Sequence, residues 1–325
     1  MDWSVCDGKD YVGAVRIRGE VETRAAGLPE DAQFRIASLT KVFATVLTLL
    51  LVEDGKLSLD DEVAPWLPEA ASPRVLTRAD GPLDETVAAA RPITIRHLLT
   101  MTCGWGVVLS QTPLQAEMIR LRVFPSAVGF DLTADEFAAR SCSLPLAFQP
   151  GEGWLYDAGI TLLGILLQRR FGPLSGLLDE WIFTPLGLND TAFFGDRLPP
   201  LYKPSGGVLD PPDGKFSRPP AFEALNGGLV SSCADVFRFF CALADGRLVN
   251  SEPLLTPVAH DTSPIAAGWG LGVGLYPGGG YGWEGGTGTT ARIYGDTVGV
   301  LLTQRVMAGP TDAPNDFWEA VSAAR

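Results

Sequence analysis

Ser38 and Lys41 stand three residues apart in Ser38-Leu39-Thr40-Lys41, and no other serine of the chain has a lysine at that spacing. Residues at i and i+3 share a helix face, so the Lys41 amine can reach the Ser38 hydroxyl. A base beside a serine makes a nucleophile. An apolar run from Val42 to Val52 follows and ends in Glu53-Asp54-Gly55. It predicts a buried helix with Gly55 as its stop, too short for a bilayer span of ~20 residues. Ser38 is expected in the first turn of that helix. Burial and the positive helix end both disfavour an ammonium, so the Lys41 pKa is expected to fall. The same spacing also fits a helix cap beside a solvated lysine. Its place at the mouth of a buried helix favours chemistry.

Other chemistries have less support. The two histidines, His97 and His260, are far apart and unframed, so neither a His-based metal site nor a Ser-His-Asp arrangement is expected. The nucleophile-elbow pattern G-x-S-x-G is absent. The five cysteines are scattered, without C-x-x-C spacing, and read as free thiols in a reducing cytoplasm. A net charge of −13 gives nucleic-acid binding no support. The N-terminus lacks the basic-then-apolar pattern of a signal peptide, and no membrane partner is expected.

The elements that must position the pair can be read in outline. Tyr11 to Arg24 alternates around Arg18-Gly19-Glu20 and predicts two antiparallel strands. Helices are expected at Ile95–Met101, near Thr133, at Gly159–Phe171 and at Leu178–Phe183, with loops over 76–92 and 195–220. Asn226-Gly227-Gly228 reads as a turn before a helix capped by Ser232. Gly268–Tyr276, Thr290–Tyr294 and Thr297–Val306 read as strands, and Phe317–Ala324 as a terminal helix. The fold class is α+β: an antiparallel sheet flanked by helices, with a mostly helical domain inserted. The expected division is 1–62 plus 215–325 for the sheet domain and 63–214 for the helical one, with the active site between them.

Three landmarks stand in order: Ser38-Leu39-Thr40-Lys41, Tyr156-Asp157-Ala158 and Trp283-Glu284-Gly285-Gly286. With the stretches LSLDDEV, ITIRHLLTMTCG, FQPGEGWLYDAGITLLG and NGGLVSS, the chain resembles the serine β-lactamase and penicillin-binding-protein superfamily. It looks closest to the class C-like branch, which includes family VIII carboxylesterases. The resemblance implies Ser38 as the acylated nucleophile and Lys41 as the group that takes or holds its proton. It implies Tyr156 as the proton shuttle and the N–H groups of Ser38 and Gly286 as the oxyanion hole. Substrate contacts would come from Trp283, Glu284, Gly285, Trp105 and Asp157, with the two tryptophans forming an apolar pocket. No metal and no cofactor are implied.

Two positions depart from the family pattern. The asparagine of Y-x-N is Ala158, with Asp157 one position off and expected as a helix N-cap. The cation of K-T-G or H-x-G is Trp283, leaving Arg292 on the neighbouring strand as a candidate cation. The resulting expectation is a cytoplasmic serine hydrolase, a carboxylesterase on neutral small esters or acyl substrates. The alternatives are an acyltransferase using the same acyl-enzyme, then a β-lactamase or D-amino-acid peptidase, then a non-catalytic binding protein. Oligomeric state is left open.

Overall fold

The computed structural model describes residues 1–262, 265–309, 312 and 314–325. Strands β1 (Tyr11–Ile17), β2 (Glu20–Ala26) and β3 (Gln33–Arg35) lead into helix α1 (Thr40–Glu53). A hairpin of β4 (Arg74–Leu76) and β5 (Thr86–Ala88) interrupts the stretch expected as loop. Helices α2 (Ile95–Leu99), α3 (Pro113–Arg120), α4 (Ala134–Cys142), α5 (Ala158–Phe171), α6 (Leu174–Leu178) and the single turn α7 (Thr184–Leu186) follow. A second small hairpin, β6 (Leu201–Tyr202) and β7 (Val208–Asp210), lies inside the expected connection. Then come β8 (Val230–Ser232), α8 (Cys233–Ala244), β9 (Gly268–Trp269), β10 (Gly274–Tyr276), β11 (Gly280–Gly285), β12 (Thr289–Tyr294), β13 (Thr297–Leu302) and α9 (Asn315–Ala324). Among the described residues no helix is long and apolar enough to cross a membrane.

Both ends of the chain build one seven-stranded antiparallel sheet, ordered β2-β1-β13-β12-β11-β10-β9. Its faces follow the two-residue period of a strand. Val12, Ala14, Val298, Val300, Ala291, Ile293 and Trp283 face the large core that holds α1 and α8. Tyr11, Val15 and Leu301 face a smaller core under α9, with Phe317 and Trp318. Gly299 admits the Trp318 indole, since a Cβ there would lie 2.9 Å from its ring.

Helix α1 is buried from Thr40 to Leu49, as its continuous apolar run demands. Its buried threonines stay satisfied by donating back one turn, Thr45 to the Lys41 carbonyl and Thr48 to that of Ala44, each at 2.8 Å. Gly55, with φ +71°, lies just past the helix end as expected. Ahead of the helix, buried Arg35 on β3 pairs with Asp210 at 2.7 Å and donates to Gln304 and to the Pro199 and Pro211 carbonyls. This clamp fixes the strand that delivers Ser38.

Trp283 fits only because position 274 on the neighbouring strand is glycine. A Cβ there would lie 2.4 Å from Trp283 Cε3. Gly274→Ala should therefore overpack the strand pair and lower stability by about 1–3 kcal/mol, the usual cost of overpacking. Urea unfolding measures it, and an unchanged midpoint would show that the indole has room to move.

Candidate active site

Ser38 sits in a 3-10 turn, Ala37–Leu39, immediately ahead of α1 rather than in its first α-helical turn. Ala37 holds φ +47°, a region that alanine rarely adopts. The end of β11 lies on this turn. A Cβ at Gly285 would be 2.5 Å from the Ile36 carbonyl oxygen, so only glycine permits the approach. Thr287 and Thr289 fasten the contact by donating to the carbonyls of Arg35 at 2.6 Å and Ile36 at 3.0 Å. Gly286 follows directly and accepts from the Met307 N–H at 2.9 Å.

Lys41 is fully buried. Its Nζ donates to Ser38 Oγ at 3.0 Å, to Asp157 Oδ1 at 2.7 Å and to the Asn226 carbonyl at 2.5 Å. Three acceptors match the three N–H bonds of an ammonium. The Tyr156 ring centroid lies 4.6 Å from the same nitrogen. Burial is the largest influence on Lys41 and pulls its pKa down. The Asp157 carboxylate, with the hydrogen bond it accepts, and the nearby Tyr156 oxygen outweigh burial, and the net direction is up. This is opposite to the expected fall, because a carboxylate distant in sequence outweighs burial and the helix end.

That carboxylate comes from the start of α5. Asp157 occupies the N-cap position, yet its side chain makes no capping bond, contrary to expectation. Both oxygens are used elsewhere, Oδ1 by Lys41 and Oδ2 by Asn226 Nδ2 at 2.9 Å. Asp157 is buried and holds φ +86°, a conformation that costs about 1–3 kcal/mol in a non-glycine residue and persists where its surroundings compel it. Asn226 was legible only as part of a turn. Its carbonyl and its amide both serve the Lys41–Asp157 pair.

Tyr156 Oη accepts a hydrogen bond from Trp283 Nε1 at 2.5 Å. Trp283 meets Trp269 edge to face at 4.6 Å, and Trp154 packs against both Tyr156 and Trp269. The aromatic wall is thus Trp154, Tyr156, Trp269 and Trp283. Trp105, expected in it, is buried behind Ala158 in the helical region and donates to the Leu144 carbonyl at 2.9 Å. Glu284, expected as a substrate contact, faces the other side of the sheet, because strand alternation places it opposite Trp283. There its carboxylate is paired with Arg292 and accepts from Tyr276 Oη at 3.2 Å. Arg292 is therefore no candidate for substrate recognition; it lies under Trp318, 4.7 Å from that ring.

Neither histidine reaches the pair. His97 completes the capping box of α2 with Thr94, and His260 contacts the Gly151 carbonyl at 2.8 Å. On the other side of the site a cleft of about 580 Å³ begins at Asn226 and Gly227. Phe130, Phe193, Phe216 and Phe222 line it. Its size is that of a small-molecule pocket.

The Beta-lactamase family matches residues 10–324. The chain is similar to protein Rv1367c of Mycobacterium tuberculosis, at 34% identity over 71% of this chain and 59% of the relative. It is also similar to esterase EstB of Burkholderia gladioli, at 32% identity over 77% of this chain and 68% of EstB. The chain thus spans about three-fifths of the length of the first of these (59%). Among solved structures it resembles EstCE1, a hydrolase with promiscuous acyltransferase activity, with a TM-score of 0.77 and 22% identity over 97% of this chain and 92% of that one. At that identity the likeness speaks for the fold.

Asp157→Asn tests the ammonium state. Removing one partner of a buried ion pair should cost about 3–5 kcal/mol near neutral pH. In the wild type the Lys41 pKa is raised, so its contribution is complete below the unfolded lysine value of ~10.4 and is lost as pH rises through the folded value. In the variant the carboxylate no longer offsets burial, the folded pKa falls, and stability rises with pH as the unfolded lysine binds the extra proton. The gap in thermal midpoint between the two proteins should therefore narrow from pH 7 to pH 10. A constant gap would show that Asp157 does not govern the charge on Lys41.

Proposed function

The chain belongs to the Beta-lactamase family, and on that premise we propose that it is a serine hydrolase working through a Ser38 acyl-enzyme, a carboxylesterase on uncharged esters. The carrying observation is the buried Lys41 Nζ at 3.0 Å from Ser38 Oγ, with the Tyr156 ring against the same nitrogen. EstB, a relative in the same family, is named an esterase. Ser38 Oγ adds to the ester carbonyl carbon, and the oxyanion is received by the N–H groups of Ser38 and Gly286. Tyr156 takes the Ser38 proton as it gives its own to the alcohol oxygen, whose bond to carbon breaks. Lys41, already an ammonium, holds the serine oxygen and stabilises the charge that develops on it. Water then adds to the acyl carbon by the reverse relay and releases the acid. An alcohol in place of that water would make the same enzyme an acyltransferase. The five free cysteines support a reducing, cytoplasmic setting.

The electrostatics of the site support the choice of substrate. Lys41 is matched by Asp157, Arg292 lies on the far face of the sheet, and Trp283 brings one neutral N–H. Arg218 lines the cleft and, among the described residues, has no acidic partner, but it is exposed, where water and salt screen it. A carboxylate entering this site loses its hydration without a buried cation to replace it. An uncharged ester has no such cost, and its apolar portion suits the phenylalanine-lined cleft.

Two measurements test this reading. A fluorophosphonate should label the wild type once, at Ser38, and Ser38→Ala should remove the label and lower ester turnover by about 10³-fold or more. Labelling that persists at another residue would overturn the nucleophile. In a comparison of kcat/KM, p-nitrophenyl esters should exceed cephalosporins by about 10²-fold or more, and phenylacetyl or octanoyl esters should exceed acetyl ones. A preference for the cephalosporin would remove the electrostatic argument.

A further inference from the structure

Trp283 is buried, and its Nε1 lies 2.5 Å from Tyr156 Oη. An indole nitrogen has a hydrogen to donate and no lone pair to accept with. The tyrosine oxygen is therefore the acceptor in this bond, and the phenolic hydrogen lies elsewhere. The second polar neighbour of Tyr156 is Lys41, whose ammonium is likewise donor-only and lies 4.6 Å from the ring centroid. Neither Trp283 nor Lys41 can accept the hydroxyl hydrogen, which is free to turn to the open site, where the leaving oxygen would stand.

We propose that Trp283 is a positioning residue that fixes the direction of the Tyr156 hydroxyl proton, supplying as a neutral donor what a cation at this position would supply with charge. The proposal rests on the serine-hydrolase reading above and adds to it the role of the indole N–H. The indole is held firmly enough for the task. Trp269 meets it edge to face at 4.6 Å and 88°, and Trp269 Nε1 donates in turn to the Leu99 carbonyl at 3.3 Å. Gly274 presses on its other side, where even a Cβ would collide. A neutral amine or imidazole at this position could take a proton from the tyrosine, whereas the indole cannot. Tyr156 can thus give its proton only toward substrate, and the bond to Nε1 grows stronger as negative charge develops on its oxygen.

The experiment is a double-mutant cycle on a neutral p-nitrophenyl ester, with each protein titrated by fluorophosphonate so that rates refer to folded, Ser38-competent enzyme. Trp283→Phe keeps an aromatic ring and removes the N–H. It should lower kcat by about 10-fold or more, the worth of a hydrogen bond to a group bearing charge, and leave KM within about 2-fold. Trp283→His restores a donor and should recover part of kcat. In a Tyr156→Phe background, Trp283→Phe should cost nothing further, because the oxygen it serves is gone. Full additivity of the two losses, or a wild-type kcat in Trp283→Phe with only KM raised, would overturn the proposal and leave Trp283 as a wall of the pocket. Loss of the tryptophan effect leaves the acyl-enzyme reading intact. That reading falls separately, if Ser38→Ala retains turnover.

Discussion

The Lys41–Asp157 ion pair is the constraint around which the site is built. A lone ammonium in this position is untenable, since the desolvation of one buried charge amounts to several kcal/mol. The charge survives because three separate segments reach it: α1 brings Lys41, the entry to α5 brings Asp157, and the turn before β8 brings the Asn226 carbonyl. None of these segments neighbours another in sequence. Their meeting therefore fixes how the helical region lies against α1, and it fixes Ser38 Oγ at the remaining hydrogen-bonding direction of the amine. The two strained residues of the site, Ala37 and Asp157, stand beside Ser38 and Tyr156 respectively. Each is held in its rare conformation by what it serves, the turn under β11 in one case and the ion pair in the other.

The sheet contributes a second constraint, the alternation of its strands. On β11 the period of two sends Trp283 toward Tyr156 and Glu284 toward α9, and the register with β12 places Arg292 beside Glu284. One residue of slip would exchange them and put an unpaired carboxylate where the indole now stands. The buried Glu284–Arg292 pair makes that slip costly, since both charges would lose their partners. In this way a polar cluster with no contact to the site keeps the correct side chain in it.

Much of this was legible in the sequence, and the limit has a physical cause. Interactions of short sequence range could be read. The Ser38–Lys41 contact is one turn of helix, the β1–β2 hairpin carries its own alternation, and the caps at Thr133 and Ser232 lie within three residues of their partners. Long-range partners could not. Asp157 looked like a cap because that is the local use of aspartate before a helix, and only the fold shows Lys41 116 residues away in sequence. Asn226 looked like a turn for the same reason. Glu284 belongs to the same sequence block as Trp283, but neighbours on a strand point apart. Trp105 has the apolar face that a pocket needs, but its indole is used by the Leu144 carbonyl in the helical core.

The departures at Ala158 and Trp283 become one change when charge is counted across the site. The family pattern places a neutral asparagine two residues after the tyrosine and a cation on the strand. In this chain the first position is apolar Ala158, a carboxylate stands one residue before it, and the cation has given way to a neutral donor. Relative to that pattern the site has lost one positive charge at position 283, and Asp157, at the position the pattern leaves open, brings a negative one. Among the described residues Lys41 is then the one cation bonded to Ser38, and Asp157 balances it at 2.7 Å. What a substrate meets is a polar but nearly neutral field. Such a field gives little attraction to a carboxylate, while the short-range dipoles of an oxyanion hole retain their effect on a carbonyl as it becomes charged. Substrate charge and transition-state charge are thereby separated. In the proposed mechanism the first is ignored by a balanced site, and the second is met by the N–H groups of Ser38 and Gly286. That separation is what an esterase for neutral substrates requires, and it follows from the neutral donor at position 283 together with the carboxylate at position 157.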